Sequence, residues 1–213
     1  GVTQDYKTAV KWYTLAAKQG VAYAQHNLGA MHQKGRGVSQ NNHEAVKWYK
    51  RAAKQGYAYA QYNLGVMHEK GQGISKNYKT AVSWYKHAAK QGVASAQYNL
   101  GVMYEKGLGI TRDEKEAVKW YRNAAEQKYS SAQYNLGNMY QRGRGVPQDD
   151  EEAVKWYKRA AEQGDADAQG NLGVMYAFGS GVSKNYVYAH MWGALSASNG
   201  NKLGGRLRDD FAK

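Results

Sequence analysis

Residues 58–93 read AYAQYNLGVMHEKGQGISKNYKTAVSWYKHAAKQGV, and this stretch decides the fold. Ala60, Leu64, Gly65, Met67 and His68 recur at the three-to-four-residue spacing of one helical face. Gly71-Gln72-Gly73-Ile74 then breaks the helix, because glycine reaches positive φ without a steric penalty. A second helix starts after Asn77, a good N-cap residue, and its burying face is Ala81, Val82, Trp84, Tyr85, Ala88 and Ala89. Gly92 stands where a left-handed residue ends that helix. One unit is therefore a pair of helices of about 13 residues, each about 20 Å long.

The unit recurs along the chain. Trp12, Trp48, Trp84, Trp120, Trp156 and Trp192 fall at an unvarying interval of 36 residues and account for all 6 tryptophans. Self-similarity at such a period marks a repeat architecture whose units contact their neighbours. The Trp-Tyr pairs, in register at helical spacing, read as core. Asp5, Asn41, Asn77, Asp113, Asp149 and Asn185 hold the N-cap register, and Glu44, Glu116 and Glu152 follow three residues later at capping-box spacing. Small residues at Ala16, Ala17, Ala24 and their equivalents let helices approach closely. The expected organisation is one repeat domain over 1–213. It comprises a half unit 1–21, five helix pairs at 22–57, 58–93, 94–129, 130–165 and 166–200, and a C-terminal capping segment 201–213. The chain opens at Gly1, inside a unit, and reads as a piece of a longer protein or a processed form.

Composition narrows the function classes. The 213 residues contain no cysteine, which excludes disulfides and thiolate metal sites, and no apolar run approaches the length of a membrane span. The net charge of +13 is uneven: the first four 36-residue windows are basic, while the fifth is acidic through Asp149, Asp150, Glu151, Glu152, Glu162, Asp165 and Asp167. A basic surface attracts anionic partners by long-range steering that salt screens.

The pattern A-x-x-x-LG-x-M-x-x-x-G-x-G-V-x-x-D/N-x-x-x-A-V-x-WY-x-x-AA-x-QG resembles the Sel-one-like repeat family, helical-hairpin relatives of the tetratricopeptide repeats. Asn63-Leu64-Gly65, Gly71-x-Gly73-Ile74 and Trp84-Tyr85 carry the likeness, which covers essentially the whole chain. Departures are few. Lys128 replaces the helix-ending glycine, and Phe178 replaces the basic residue seen at Lys34, Lys70, Lys106 and Arg142. Trp192-Gly193 replaces Trp-Tyr, and Leu203-Gly204-Gly205-Arg206 stands where a regular first helix should begin. The resemblance implies an all-α fold, a right-handed α/α solenoid of antiparallel helix pairs with a concave face lined by the first helix of each unit. It further implies a non-catalytic scaffold or adaptor for protein–protein interaction and, for bacterial members, a periplasmic or secreted location.

Under that alignment the groove positions form columns: Asn27, Asn63, Asn99, Asn135 and Asn171; His26, Tyr62, Tyr98, Tyr134 and Gly170; Tyr23, Tyr59, Ser95, Ser131 and Asp167. The candidate peptide-binding residues are Asn27, Tyr59, Tyr62, Asn63, Lys70, Tyr98, Asn99, Lys106, Tyr134, Asn135, Asn138 and Arg142. An asparagine amide donates and accepts at once, tyrosine offers broad contact at low entropic cost, and lysine engages acidic side chains or a C-terminal carboxylate. In tetratricopeptide relatives an asparagine at the corresponding position helps clamp peptides; the other reading makes it scaffold that bonds locally between helices. The expected partner is a protein or peptide, acidic in character, and the chain is expected to be a monomer. The alternative is an anionic-partner binder, nucleic acid or a membrane surface, using the basic first four repeats. Lys11, Lys47, Lys119 and Lys155 with Arg51, Arg122 and Arg159 on the second helices read as a solvated face under the first reading.

Catalytic and cofactor signatures do not assemble. Ser83-Trp84-Tyr85-Lys86 has the spacing of penicillin-recognising serine enzymes, but it overlaps the repeat and no Lys-Thr-Gly follows. His32 and His68 share a register that continues as Tyr104, Tyr140 and Tyr176, the behaviour of packing positions and not of metal ligands. Gly35-x-Gly37 and its copies lack the third glycine and the Lys-Ser/Thr of phosphate loops. The expectation is no enzyme, no metal and no cofactor.

Overall fold

The computed structural model describes residues 5–210; residues 1–4 and 211–213, the outer ends of the expected segments 1–21 and 201–213, lie outside the described residues. The described residues form twelve helices: α1 (Tyr6–Lys18), α2 (Ala22–Lys34), α3 (Asn42–Lys54), α4 (Ala58–Lys70), α5 (Tyr78–Lys90), α6 (Ala94–Lys106), α7 (Glu114–Glu126), α8 (Ser130–Gln141), α9 (Asp150–Glu162), α10 (Ala166–Phe178), α11 (Tyr186–Ser198) and α12 (Lys202–Asp210). They fall into two compact units, Gly1–Arg112 with α1 to α6 and Asp113–Lys213 with α7 to α12.

Local chemistry explains each boundary. The side chains of Asn41, Asn77, Asp113 and Asp149 accept from the amides of Glu44, Thr80, Glu116 and Glu152 at 3.1, 2.9, 3.0 and 2.9 Å, as N-caps do. The reciprocal half of the capping box is not made. The N–H of Asn41 already donates to the His32 carbonyl at 2.9 Å, and that of Asp149 to the Tyr140 carbonyl at 3.0 Å. With those amides engaged, Glu44, Glu116 and Glu152 pair instead with Lys47, Lys119 and Lys155 at 2.6, 3.2 and 2.7 Å. Glycine in the left-handed region ends α2, α4, α6 and α10. Lys128, after α7, adopts φ 64 and is the one non-glycine with positive φ among the described residues.

The tyrosine of each Trp-Tyr pair, not the tryptophan, is the deep core residue. Tyr49, Tyr85, Tyr121 and Tyr157 are wholly buried. The rings of Tyr49, Tyr85 and Tyr157 lie against the glycine of Leu-Gly on the neighbouring first helix: a Cβ on Gly65 would stand 2.6 Å from the Tyr85 ring, and one on Gly29 or Gly137 would stand 2.8 Å from Tyr49 or Tyr157. Leu-Gly and Trp-Tyr are thus one packing device.

The expectation that the tryptophans are core needs correcting. Successive helix positions point about 100° apart, so while the tyrosine inserts against the glycine of its first helix the tryptophan packs at the edge of a cluster shared with the preceding second helix. Trp48 packs on the cluster of Ala17, Ala24 and Leu28, and Trp84 on that of Tyr49, Leu64 and Met67. Most of the column is half-buried; Trp156 is 7% exposed and Trp12, on the first described helix, 69%.

A buried glutamine column is the feature sequence reasoning missed. Gln25, Gln61, Gln133 and Gln169 donate to the carbonyls of Ala17, Ala53, Ala125 and Ala161 at 3.1, 3.3, 3.0 and 3.0 Å. Their carbonyl oxygens accept from Gln55, Gln91, Gln163 and Asn199 at 2.8, 2.7, 2.6 and 3.0 Å. Each therefore ties the end of one second helix to the end of the next, adding a second bond to a carbonyl that already accepts from the turn ending its helix. The constant Gln after Ala in every first helix was the available signal.

At the other end of the chain, Gly193 takes the tyrosine's place and α12 moves into the space. A Cβ on Gly193 would lie 2.8 Å from Leu207 Cβ, and one on Gly173 would lie 3.2 Å from Leu207 Cδ1. Leu207 is buried there, filling the slot that a tyrosine ring fills elsewhere.

Candidate protein-binding face

The first helices bury one face and leave the opposite one accessible. On α4, Ala60, Gln61, Leu64, Gly65, Met67 and His68 are buried, while Tyr59, Tyr62, Asn63, Val66 and Lys70 are half-buried or exposed. Those five share one helix face by their spacing. On α2 the same face carries Tyr23, His26, Asn27, Ala30 and Lys34, and on α6 Ser95, Tyr98, Asn99, Val102 and Lys106. In the second unit α8 presents Tyr134, Asn135, Asn138 and, just past its end, the exposed Arg142.

The members of this face differ in how far they are engaged. Asn63 Nδ2 lies 3.0 Å from His26 Nε2, a bond between successive first helices. The amides of Asn63, Asn99 and Asn171 also act on the hydroxyls of Tyr49, Tyr85 and Tyr157, against the burial that pushes all three phenols above their ordinary range. The Glu69 carboxylate, which accepts from Tyr85 at 2.5 Å, raises Tyr85 further. Asn138 Nδ2 bonds the Tyr134 carbonyl one turn back at 3.3 Å. Asn27 Nδ2 and His26 Nδ1 are buried without a partner. Tyr62 and Tyr134 lean on the core tyrosines, ring centroids 6.0 Å from Tyr85 and 5.9 Å from Tyr157. Lys34, Lys70, Lys106 and Arg142 extend into solvent.

One cluster goes beyond the columns read from the sequence. Tyr13 meets Tyr23 at 6.4 Å, Tyr23 meets Tyr57 at 6.3 Å, and Tyr57 meets Tyr59 at 6.1 Å, with His26 5.1 Å from Tyr57. Tyr57 sits at the N-cap register of a first helix, where other pairs have Val21, Val93, Tyr129 or Asp165, and periodicity alone does not mark it. Tyr13 was assigned wholly to the core.

Many of the basic side chains of the second helices have partners of their own. Besides the three Glu–Lys pairs, the Arg51 guanidinium lies 4.6 Å over the Trp48 ring and Arg159 4.5 Å over Trp156. Lys86 lies 5.5 Å over Tyr104, and Arg122 donates to the Tyr140 hydroxyl. Helix α11 breaks the basic pattern, with exposed Val187, Met191 and Leu195 along one stripe. In the second unit a pocket of about 340 Å³ is lined by Lys128, Gln133, Arg159 and Glu162 among others, a mixed-charge cleft without a nucleophile beside a base.

Comparison with known proteins places this architecture. The Sel1 repeat matches six consecutive stretches, residues 1–21, 22–57, 58–93, 94–129, 130–165 and 166–201. The chain is similar to c5321, a protective antigen of uropathogenic Escherichia coli strains displaying an SLR fold, at 41% identity and TM-score 0.91 over 94% of this chain and 43% of that one. It spans less than half the length of that protein. A Sel1 repeat protein from Oxalobacter formigenes is similar at 39% identity and TM-score 0.85, with 94% of this chain and 85% of that chain covered. A Sel1 repeat protein from Klebsiella pneumoniae shares the fold at 23% identity and TM-score 0.58, over 96% and 99% of the two chains. A search of curated proteins returned no match. Sel1 repeats generally serve as non-catalytic modules of protein–protein interaction. With its six matched repeats and helix pairs, the chain belongs to the Sel1 repeat family and is an all-α repeat solenoid.

Proposed function

We propose that this chain is a non-catalytic scaffold that holds a protein or peptide segment on the accessible faces of its first helices. The observation that carries the reading is the composition of that face. It repeats tyrosine, asparagine and a terminal basic residue at positions the core does not need. Tyr59, Tyr62, Tyr98 and Tyr134 supply contact area; Asn99, Asn135 and Asn138 supply amides for a peptide backbone, while the Asn27 amide nitrogen is buried beneath the face. Lys70, Lys106 and Arg142 supply charge for acidic groups. Asn63 serves the pairing of α2 with α4 as well, through His26.

The test starts from a dodecapeptide selected on the protein from a random display library. The double variant Tyr98→Ala/Asn99→Ala should weaken that peptide about ten-fold or more, the effect of losing one anchor, with an unchanged circular dichroism spectrum. A second-helix variant, Lys119→Ala/Lys155→Ala, should leave it unchanged. The reverse pattern sinks the assignment. Binding to nucleic acid through the basic second helices would instead fall steeply with salt, and a DNA oligonucleotide bound at about 50 mM salt and released by about 200 mM would favour that reading.

A further inference from the structure

We propose that Tyr13, Tyr23, His26, Tyr57 and Tyr59 in the first unit form the anchor site for an acidic peptide segment, which seats a bulky apolar side chain on the rings and lays its carboxylates toward Lys34 and Lys70. This rests on the reading of the first-helix faces as the binding surface and adds where the ligand is gripped and what chemistry it carries.

The rings form a continuous belt. Centroid separations run 6.4, 6.3 and 6.1 Å from Tyr13 through Tyr23 and Tyr57 to Tyr59, with His26 at 5.1 Å from Tyr57 and 6.4 Å from Tyr59. Tyr23 and Tyr59 stay 57% and 58% exposed although each is large enough to bury. Packing does not require them, since Ser95, Ser131 and Asp167 hold the same register in other pairs. Exposed aromatic area of this kind is what interfaces concentrate.

The surroundings select the occupant. In Gly1–Arg112 the acidic residues are Asp5, Glu44, Glu69 and Glu105, against sixteen lysines and arginines, so this unit carries nearly all of the +13. Three of the four acids have evident internal roles: Asp5 caps α1, Glu44 pairs with Lys47, and Glu69 accepts from Tyr85. A cationic ligand would meet repulsion here and an anionic one attraction. Burial and the neighbouring phenols hold Tyr13 and Tyr57 above the ordinary phenol value, and burial keeps His26 below the ordinary imidazole value. Tyr13, Tyr57 and His26 are therefore held in their neutral forms, and the phenols offer hydroxyl donors.

Ring orientation argues for a peptide over a nucleic acid. Tyr13–Tyr23 and Tyr23–Tyr57 are edge-to-face at 71° and 78°, and the other contacts in the belt are tilted by 49° to 50°. Base stacking needs a free ring face or a parallel slot, whereas a side chain of irregular shape fits between tilted rings. The distance also fits. Tyr23 and Lys34, like Tyr59 and Lys70, are eleven positions apart on one helix, about 16 Å at 1.5 Å per residue. An extended peptide covers that in about five residues.

The experiment uses fluorescein-labelled nonapeptides of serine and glycine with a phenylalanine near one end and three glutamates beginning five residues on. Companion peptides replace the phenylalanine by serine or the glutamates by lysines, and oligo-dT serves as the nucleic-acid probe. Fluorescence anisotropy should show the phenylalanine–glutamate peptide binding about ten-fold tighter than either companion, the effect of one seated aromatic or of a matched charge set. Tyr23→Ala/Tyr59→Ala should erase the advantage of phenylalanine, and Lys34→Gln/Lys70→Gln that of glutamate. All four side chains are exposed, and an unchanged melting curve verifies the fold. The proposal is overturned if the phenylalanine advantage survives in the tyrosine variant, if the peptide does not bind at millimolar concentration, or if oligo-dT binding depends on the same tyrosines. Loss of binding in Tyr98→Ala/Asn99→Ala but not in the tyrosine-belt variant overturns the belt and leaves the broader reading standing; loss in neither removes both.

Discussion

Replacing Gly73 by alanine tests how closely successive helix pairs must approach, and Gly92 provides the control. Both glycines have positive φ, +66° and +85°, so alanine at either meets the same kind of backbone strain. A left-handed L-residue costs roughly 1–2 kcal/mol, and alanine recovers about 0.5–1 kcal/mol by restricting the unfolded chain. Gly92→Ala should therefore cost no more than about 1 kcal/mol, because a Cβ there meets nothing within 4 Å. Gly73 differs in one respect: its Cβ would fall 2.4 Å from both the carbonyl carbon and oxygen of Asn42, at the start of α3. Carbon atoms in contact prefer about 3.5–4.0 Å, and these two Asn42 atoms are backbone that cannot rotate away. The turn must lift off α3 by more than about 1 Å to restore that separation, and such overpacking adds about 1–3 kcal/mol. The total for Gly73→Ala is about 1–4 kcal/mol. Urea unfolding of both variants, followed by circular dichroism at 222 nm, gives the difference directly, and hydrogen exchange should show the loss at the first turn of α3. If the two variants unfold within about 0.5 kcal/mol of each other, the close approach at Gly73 contributes nothing and the account of pair-to-pair packing is wrong.

Other consequences are read in the same way. Gln61→Leu removes one of the two bonds on the Ala53 carbonyl, which keeps the Gly56 amide, and the shorter of two bonds from the Gln91 amide, and at about 0.5–1.5 kcal/mol per bond should destabilise by about 1–3 kcal/mol, measured by the same urea titration; a neutral result would mean that solvent replaces the ladder. Lys128→Gly relieves the φ of 64 and should stabilise by about 0.5–1 kcal/mol, net of the entropy glycine adds to the unfolded chain; a lower melting temperature refutes it. His26 and His68 are held below the ordinary imidazole value of 6.5, by burial first and for His68 also by Lys50. Above 6.5 both are neutral folded or unfolded, so their stability contribution is whole; below it the unfolded chain takes up the proton first and stability falls. His68→Tyr, the residue its register carries at Tyr104, should flatten the loss between pH 7 and 5, and an unchanged pH profile counts against it. Leu207→Ala empties the slot beside Gly193 and should cost about 2–4 kcal/mol, with hydrogen exchange in α12 accelerating before that in α10.

The period, the helix boundaries and the N-caps were legible because each depends on residues within one turn of one another. Asn77 caps α5 through an amide three residues on, and Gly92 ends it through its own φ. What the sequence hid lies between helices. Trp84 and Tyr85 look alike in a periodic string, yet one packs at the edge of a cluster shared by α3 and α4 and the other against a glycine of α4, and only the spatial pairing of Gly65 with Tyr85 separates them. The capping box failed for a related reason: the spacing of Asn41 and Glu44 is local, but the competitor for the Asn41 amide is a carbonyl nine residues earlier on another helix. The glutamine column was visible as a constant letter and still unread, since a polar residue beside alanine looks exposed until its two partners are known.

The same distinction bears on function. A column that recurs in every unit, such as the glutamines or the core tyrosines, is accounted for by contacts that recur with it. Residues that break the column are free of that explanation. Tyr23 and Tyr59 stand where the later pairs have serine or aspartate, and they do so in the unit that also holds nearly all the positive charge. In a protein built of copies, specificity has to reside where the copies differ. By that criterion the aromatic belt, more than the asparagine ladder, is the part of this chain that would choose a partner.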